Sequence, residues 1–369
     1  MRNFLLLGTW TLFLLVQNIV TDQDQRPIGC RDERGDPVDW FIVYKLPRED
    51  GFRYPSANNL SETGFAYLYM DGSTPGQWKR SDRSIQDNQQ GVALTLSYYY
   101  SNRDNASVFR LLYNDEVPGG NVSFTKGHTK GSLVFDSVSG FWLIHSVPKF
   151  PPTDAYGYPP TGAKYGQTFF CVTFAYSALR DIANQLVLYD PYIYDWALPA
   201  AMARDSEVLA ELIKGRAPKV PPFFRSKEVA SLGGMPLTSF AKNKKWSREL
   251  YVDLVAPTFE RGLFAETWQN GRGDIGSNCT SPYRVYNVAN VTLTPDLAFS
   301  NREDHSKWAI SNETIDGSSS QGGHWICMGD INRQKEQFFR SGGTLCMQND
   351  EVWGAFRRSV QRYEDCPKD

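Results

Sequence analysis

The stretch "KGHTKGSLVFD" (residues 126–136) sets a histidine and a lysine two apart at the head of an apolar, alternating run. The same arrangement returns in "DHSKWAIS" (residues 304–311), in a chain with only four histidines. Successive side chains of a strand point to opposite faces, so residues i and i+2 share one. His128 and Lys130 are therefore neighbours, as are His305 and Lys307. An imidazole near neutral pH is a nucleophile or a proton donor, and an ammonium is a compact cation. Side by side they suit an anionic group such as phosphate. Lysine is a poor metal ligand, so the pattern argues against a metal site.

Each motif also heads a similar hairpin. After His128 and Lys130 comes a Ser/Gly turn and then "GFWLIHSVPK" (residues 140–149); after His305 and Lys307 comes "GHWICMGDIN" (residues 323–332). Aligning Trp142 with Trp325 matches His145 with Met328, Ser146 with Gly329 and Lys149 with Asn332. This predicts an internal repeat, with His145, Lys149 and Asn332 supporting the two pairs. His324, in a Gly-rich turn, reads as surface structure. The halves run over residues 30–200 and 201–369, each containing one His-x-Lys motif. "VDWFIVYKLP" (38–47), "GVALTLSYYY" (91–100) and "VFRLLYND" (108–115) have the β-branched and aromatic content of strands. "PAAMARDSEVLAELIK" (199–214) reads as one helix, with Asp205 and Ser206 as candidate caps. The Pro- and Gly-rich "GRAPKVPPFF" follows it as a connection.

Composition bounds the rest. The 369 residues are 41% hydrophobic and 14% aromatic, so a globular chain with ample core is expected. A net charge of -2 speaks against a generally sticky polyanion binder. At about pH 5, four protonated imidazoles bring that balance to about +2. Arg2 followed by the apolar run Phe4 to Val16 is too short to span a bilayer and suits a signal peptide over residues 1–22. Six cysteines beyond it (Cys30, Cys171, Cys279, Cys327, Cys346 and Cys366) allow about 15 pairings. No C-x-x-C spacing is present for a zinc site. Sequons at Asn59, Asn105, Asn121, Asn278, Asn290 and Asn312 fit a glycoprotein. The route is secretory, ending in a lysosome or outside the cell.

One window departs from this balance. Lys214, Arg216, Lys219, Arg225, Lys227, Lys242, Lys244, Lys245 and Arg248 stand against the single acid Glu228. Phe223, Phe224, Phe240 and Trp246 are interleaved with them. Such a window can follow a phosphate backbone while its aromatics stack on bases. Lys242, Lys244, Lys245 and Trp246 are its candidate DNA contacts.

These residues resemble the deoxyribonuclease II family from Cys30 to Cys366. The carriers are "PVDWFIVYKLP", "GHTKG", "GFWLIHSVPKFPP", "YGQTFFCVTF", "SFAK" (239–242), "EDHSKWAIS", "GDINR" and "GGTLC". The resemblance implies an α/β fold like that of phospholipase D. Two pseudo-symmetric halves are expected, each a mixed β-sheet flanked by helices and contributing one His-x-Lys. It implies the pairs Cys30–Cys171, Cys279–Cys366 and Cys327–Cys346. It also implies an acid endonuclease acting on double-stranded DNA, without cofactor or divalent metal and with no stable membrane partner. The phospholipase D pattern usually carries Asp five residues after the Lys. Here Asp136 is six after Lys130, and the second motif has no equivalent.

Residue chemistry and resemblance then give one expected reaction. A histidine attacks phosphorus, the other protonates the leaving 5′ oxygen, and water releases a 3′-phosphate. Lys130 and Lys307 clamp the non-bridging oxygens. The assignment made here is His128 as nucleophile and His305 as acid. The alternatives are a phospholipase D-like enzyme acting on a lipid or other phosphodiester, and an inactive DNA-binding relative.

Overall fold

The computed structural model describes residues 27–48, 63–312 and 323–367. The apolar leader and the Asn59 sequon lie outside the described residues. Two large sheets account for most of the rest. The first contains β1 (Trp40–Lys45), β2 (Tyr67–Asp71), β3 (Lys79–Arg80), β4 (Phe109–Asn114), β5 (Lys130–Phe135), β6 (Ser139–His145), β7 (Gln167–Ala175) and β8 (Ile193–Ala197). Their order is β3-β2-β1-β7-β6-β5-β4-β8. The second contains β9 (Phe224–Ala230), β10 (Pro236–Lys242), β11 (Gly262–Thr267), β12 (Val285–Thr294), β13 (Leu297–Ser300), β14 (Lys307–Asn312), β15 (Trp325–Gly329), β16 (Gly342–Gln348) and β17 (Val360–Tyr363). Its order is β13-β12-β11-β14-β15-β16-β10-β9, with β17 on β12.

The two orders share an inner run. β4-β5-β6-β7-β1 corresponds to β11-β14-β15-β16-β10, and all of these neighbours are antiparallel in both sheets. The first sheet is antiparallel throughout, which corrects the expectation of a mixed sheet in each half. Only the second is mixed, through its β11–β12 pair. β5, β6 and β14 are buried along their whole length, including the polar Lys130, Ser132, Lys307 and Ser311. One core cluster draws on both sheets and on the helices Leu179–Tyr189, Glu207–Ile213 and Asp350–Ser359. A second cluster lies on the outer face of the first sheet and a third on that of the second. Among the described residues no helix is long and apolar enough to cross a membrane.

Two local expectations fail for identifiable reasons. Gly91–Ser101 is a helix, not a strand, and the Gln90 side chain caps it by accepting from Val92 N at 2.7 Å. Val92, Leu96 and Tyr99 share the face that packs into the outer cluster. Burying each is worth roughly 1.5–3 kcal/mol, enough to override a β-leaning composition. Their spacing was the available signal. The single helix expected over 199–214 is two, Ala200–Asp205 and Glu207–Ile213, broken where Ser206 is extended (φ -149, ψ 102).

The hairpin repeat is real in topology but shifted by one residue. Gly131 pairs with Ile144, so the same register sets Lys130 opposite His145. Trp308 pairs with Met328, which sets Lys307 opposite Gly329. His145 therefore corresponds to Gly329, not to Met328. A one-residue slip turns side chains to the other face. Accordingly Trp142 lies in the shared core, whereas Trp325 stacks on Phe259 at 4.2 Å in the outer cluster.

Candidate active site

Lys130 opens β5 and Lys307 opens β14, and each histidine sits in the turn just before. The turn ahead of His128 requires glycine, because a Cβ on Gly127 would lie 1.9 Å from the Tyr189 carbonyl oxygen. Both histidines are partly exposed, whereas Lys130 and Lys307 are 2% and 1% exposed.

Each histidine is held by the opposite half of the chain. His128 N donates to the Ser341 carbonyl at 2.8 Å, and its Nδ1 lies 2.7 Å from the Asp330 carbonyl oxygen. His305 N donates to the Gly166 carbonyl at 2.8 Å, and its Nδ1 lies 3.0 Å from the Ser146 carbonyl oxygen and 3.2 Å from Gln167 Oε1. A carbonyl oxygen only accepts, so Nδ1 carries the hydrogen in both rings. That leaves each Nε2 with its lone pair free. The two bond sets match one another and make Ser146 the counterpart of Asp330, one residue from the Gly329 expected. At Gly166 the fit is again close: a Cβ there would lie 2.5 Å from Asp304 Oδ1.

The middle residue of each motif is anchored too. Thr129 Oγ1 donates to Asp330 Oδ2 at 2.7 Å, and Ser306 Oγ donates to Asp304 Oδ2 at 2.7 Å. Burial raises both carboxyls, that of Asp330 to about 7. The hydrogen bonds from Thr129 and Ser306 oppose the rise without cancelling it.

The lysines differ in partner. Lys130 Nζ bonds to Asp115, whose other oxygen lies 3.2 Å from the Arg340 guanidinium. Lys307 Nζ bonds to the His305 carbonyl. Burial lowers Lys307 to about 7, and the neighbouring Lys130 adds to the fall. Burial likewise lowers His128 to about 3 and His305 well below its ordinary value. Lys307 acts on His128, and Lys130 and His128 act on His305, so the two motifs share one electrostatic site.

The supporting residues are divided. His145 is 1% exposed, packs against Phe150 at 5.2 Å and Phe169 at 5.8 Å, and accepts from Val147 N. Burial, then Lys130, lowers it to about 3, so it is a neutral ring behind the lysine. Asn332 is buried and touches Gln334 rather than either histidine. Lys149 is partly exposed at a positive φ of 58, with its N–H on the Glu116 carbonyl. Asp136 turns the β5–β6 hairpin by accepting from Val138 N and Ser139 N. It orients no histidine; main-chain carbonyls do that. His324 stacks on Trp353 at 4.1 Å and bonds to Asp350, away from both motifs. The sequence reading missed Asp115, Gln167, Trp268, Asp330 and Arg340. Asp115 ends "VFRLLYND", Gln167 lies in "YGQTFFCVTF" and Asp330 in "GDIN", all stretches already singled out; Trp268 and Arg340 lay in none.

Comparison with known sequences bears on this geometry. The family described as Deoxyribonuclease II matches residues 29–366. The chain belongs to the deoxyribonuclease II family. It is 38% identical over 342 residues to Deoxyribonuclease-2-beta of Mus musculus, covering 92% of this chain and 93% of that one. It is 36% identical over 372 residues to Deoxyribonuclease-2 of Caenorhabditis elegans, covering 94% and 95%. Plancitoxin-1 of Acanthaster planci is 37% identical over 359 residues, covering 96% and 97%. Membership makes the chain a hydrolase of the nuclease type.

For a deoxyribonuclease II family member, the basic window needs correction. Lys242 is fully buried, and its Nζ donates to the carbonyls of Arg248, Gln337 and Phe338. It tethers loops and has no ammonium to offer a phosphate. Lys244 is partly exposed, bonded to the Thr125 carbonyl at 2.7 Å and to Asp190 at 3.3 Å. Its N–H meets Ser341 Oγ at 2.9 Å, on the residue whose carbonyl anchors His128 N. Lys245 is exposed, with Nζ 5.4 Å from the Phe223 ring centre, and Trp246 packs on Phe224 at 4.7 Å. All six cysteines pair as expected: Cys30–Cys171, Cys279–Cys366 and Cys327–Cys346. Among the sequons, Asn105 and Asn121 are exposed, and Asn278 and Asn290 are partly exposed. Asn312 is 2% exposed at the end of β14, which removes it as a presented glycan acceptor.

Proposed function

We propose that this protein is an acid endodeoxyribonuclease that hydrolyses DNA, in duplex form, without a divalent metal. Its products are 3′-phosphate and 5′-hydroxyl ends, formed through a phosphohistidine. The observation that carries this reading is the reciprocal anchoring of His128 and His305. Two Nε2 lone pairs are presented in one site, each backed by a buried lysine. One Nε2 attacks phosphorus as the other, protonated, gives its proton to the leaving 5′ oxygen. Lys130 and Lys307 stabilise charge on the non-bridging oxygens.

An acid requirement follows from the same groups. The reaction needs one protonated imidazole, and burial keeps both neutral until the medium is acidic. Lys307, lowered to about 7, loses its charge as pH rises through neutrality. The corresponding inner strand runs support reading the architecture as phospholipase D-like. Three disulfides in one chain favour an oxidising route through the secretory pathway, to lysosome or exterior.

The test is cleavage of plasmid and of phospholipid vesicles at pH about 5 in excess EDTA, with wild type, His128→Ala and His305→Ala. Plasmid cleavage should fall at least about 10³-fold in each variant while both remain folded. Cleavage of phospholipid but not plasmid would favour a lipid phosphodiesterase. Loss of wild-type plasmid cleavage in EDTA would sink the metal-free reading.

A further inference from the structure

The matched bonds of the two halves isolate one place where they differ. Asn114 pairs with Lys130 and Thr267 with Lys307, so the next residues, Asp115 and Trp268, occupy equivalent positions. Ser341 and Gly166 both accept from a histidine N–H, so the residues before them, Arg340 and Tyr165, are equivalent too. In the first half-site this pair is ionic, Asp115 with Arg340 at 3.2 Å. In the second it is aromatic, Trp268 with Tyr165 at 4.4 Å between ring centres. Asp115 Oδ2 lies 4.0 Å from His128 Nε2, whereas the Trp268 ring lies 5.0 Å from the His305 ring at 71°.

We propose that Asp115, clamped by Lys130 and Arg340, is the positioning residue that makes His128 the proton donor and leaves His305 as the nucleophile. This rests on the two-histidine reading above and reverses the roles assigned from sequence. With Nδ1 hydrogen already on each ring, a second proton must go to Nε2 and bring a full positive charge into a buried site. His128 faces one carboxylate, Asp115, that favours this charge, against Lys130, Arg340 and Lys307. His305 faces Lys307, Lys130 and His128, all opposed, with the uncharged acceptors Ser146 O and Gln167 Oε1 in favour. Burial works to raise the Asp115 carboxyl, but Lys130, His128 and Arg340 outweigh it and hold it at about 2, so it stays ionised at acid pH. Beside His305, the Trp268 ring walls off the imidazole and disfavours a charged form.

The steps balance. The His305 Nε2 lone pair forms the N–P bond, the P–O5′ bond breaks, and O5′ takes the proton from His128 Nε2. Neutral His128 then takes a proton from water, whose oxygen attacks phosphorus and displaces His305 Nε2. Both histidines return to their starting states.

A substrate whose leaving group needs no proton separates the roles. With thymidine 3′-(p-nitrophenyl phosphate), His128→Ala should release a burst of about one equivalent of nitrophenolate and then stall for want of a base. His305→Ala should release none. Asp115→Asn should lose on the order of 10²-fold on DNA yet keep the nitrophenolate burst, with Asp115→Glu recovering part of the DNA activity. A merely structural defect would lower both substrates alike. A burst from His305→Ala and none from His128→Ala would overturn the assignment. Failure of wild type to label either histidine during turnover of ³²P-DNA would instead remove the covalent mechanism, and the assignment with it. Should Asp115→Asn not fold, the two histidine variants decide alone.

Discussion

Lys130 and Lys307 occupy the same strand position in matching sheets, yet their charges are handled in opposite ways. Lys130 sits in an ionic cluster with Asp115, which Arg340 also engages. Lys307 has a main-chain carbonyl for its close partner. The acid nearest in kind, Glu266, is fully buried, and both its oxygens lack a hydrogen-bond partner. Burial, then Asp304, pushes the Glu266 carboxyl well up, which keeps it neutral. A duplicated scaffold has thus kept its backbone bonds and let its charges diverge. Backbone geometry is shared by any sequence that pairs the same strands. Electrostatics depends on each buried side chain separately.

The most severe way to break that comparison is to remove each lysine. Lys307→Met should lower kcat by about 10²–10³, because a charge aimed at the transition state is lost. Lys130→Met should lower kcat similarly and also cost about 3–5 kcal/mol of stability, since a buried carboxylate loses a close counter-ion. Denaturant titration beside steady-state kinetics checks both; equal stability losses would mean that the two lysines are not differently embedded.

The halves are stapled differently, and the disulfides sharpen the contrast. Cys30–Cys171 closes 141 residues and ties the N-terminal segment to β7. Chain entropy assigns such a loop about 4–5 kcal/mol. Cys327–Cys346 closes 19 residues between paired β15 and β16, worth about 3 kcal/mol on the same basis. The Cys30/Cys171 double serine variant should therefore fail mainly in folding and secretion. The Cys327/Cys346 variant should be secreted better but show lower activity per folded molecule. Secreted yield and specific activity, measured together, would expose the reverse pattern.

Asp330 gives a smaller, pH-dependent effect. Its folded carboxyl is raised to about 7. Its contribution is therefore fully present below the ordinary carboxylate value and lost as pH rises towards 7. Asp330→Asn mimics the protonated form, so its stability relative to wild type should climb between about pH 4 and 7, by at most about 4 kcal/mol. Tm against pH for both proteins gives the comparison; a constant difference would show that Asp330 is not protonated in the folded state at acid pH. Asp304, beneath the other motif, is raised in the same direction, and Asp304→Asn should show the same sign.

The smallest effect concerns the basic window. Replacing Lys244 and Lys245 by Gln should lower the slope of log affinity against log salt by up to about two. Lys242→Met should leave that slope unchanged while destabilising the fold. A slope change from Lys242→Met would return that buried ammonium to the DNA-contacting set.

By itself the sequence determined the family and much of the local structure. Two His-x-Lys motifs heading apolar alternating runs were legible as strand starts because the period of two is a local property. The family followed from residue types in a recognisable order, and the cysteine pairing, open from the residues themselves, was implied by that resemblance. The helix at 91–101 was misread for the complementary reason: its composition favours strand, and only the outer face of the first sheet made its buried spacing decisive. The site itself was decided by tertiary structure. His128 meets a carbonyl 202 residues away and His305 one 159 residues away. Main-chain carbonyls have no residue type, so nothing in the sequence marks them as partners. The one-residue offset between the hairpins, and the placement of Asp115 beside one imidazole and Trp268 beside the other, likewise exist only once both sheets have formed and packed.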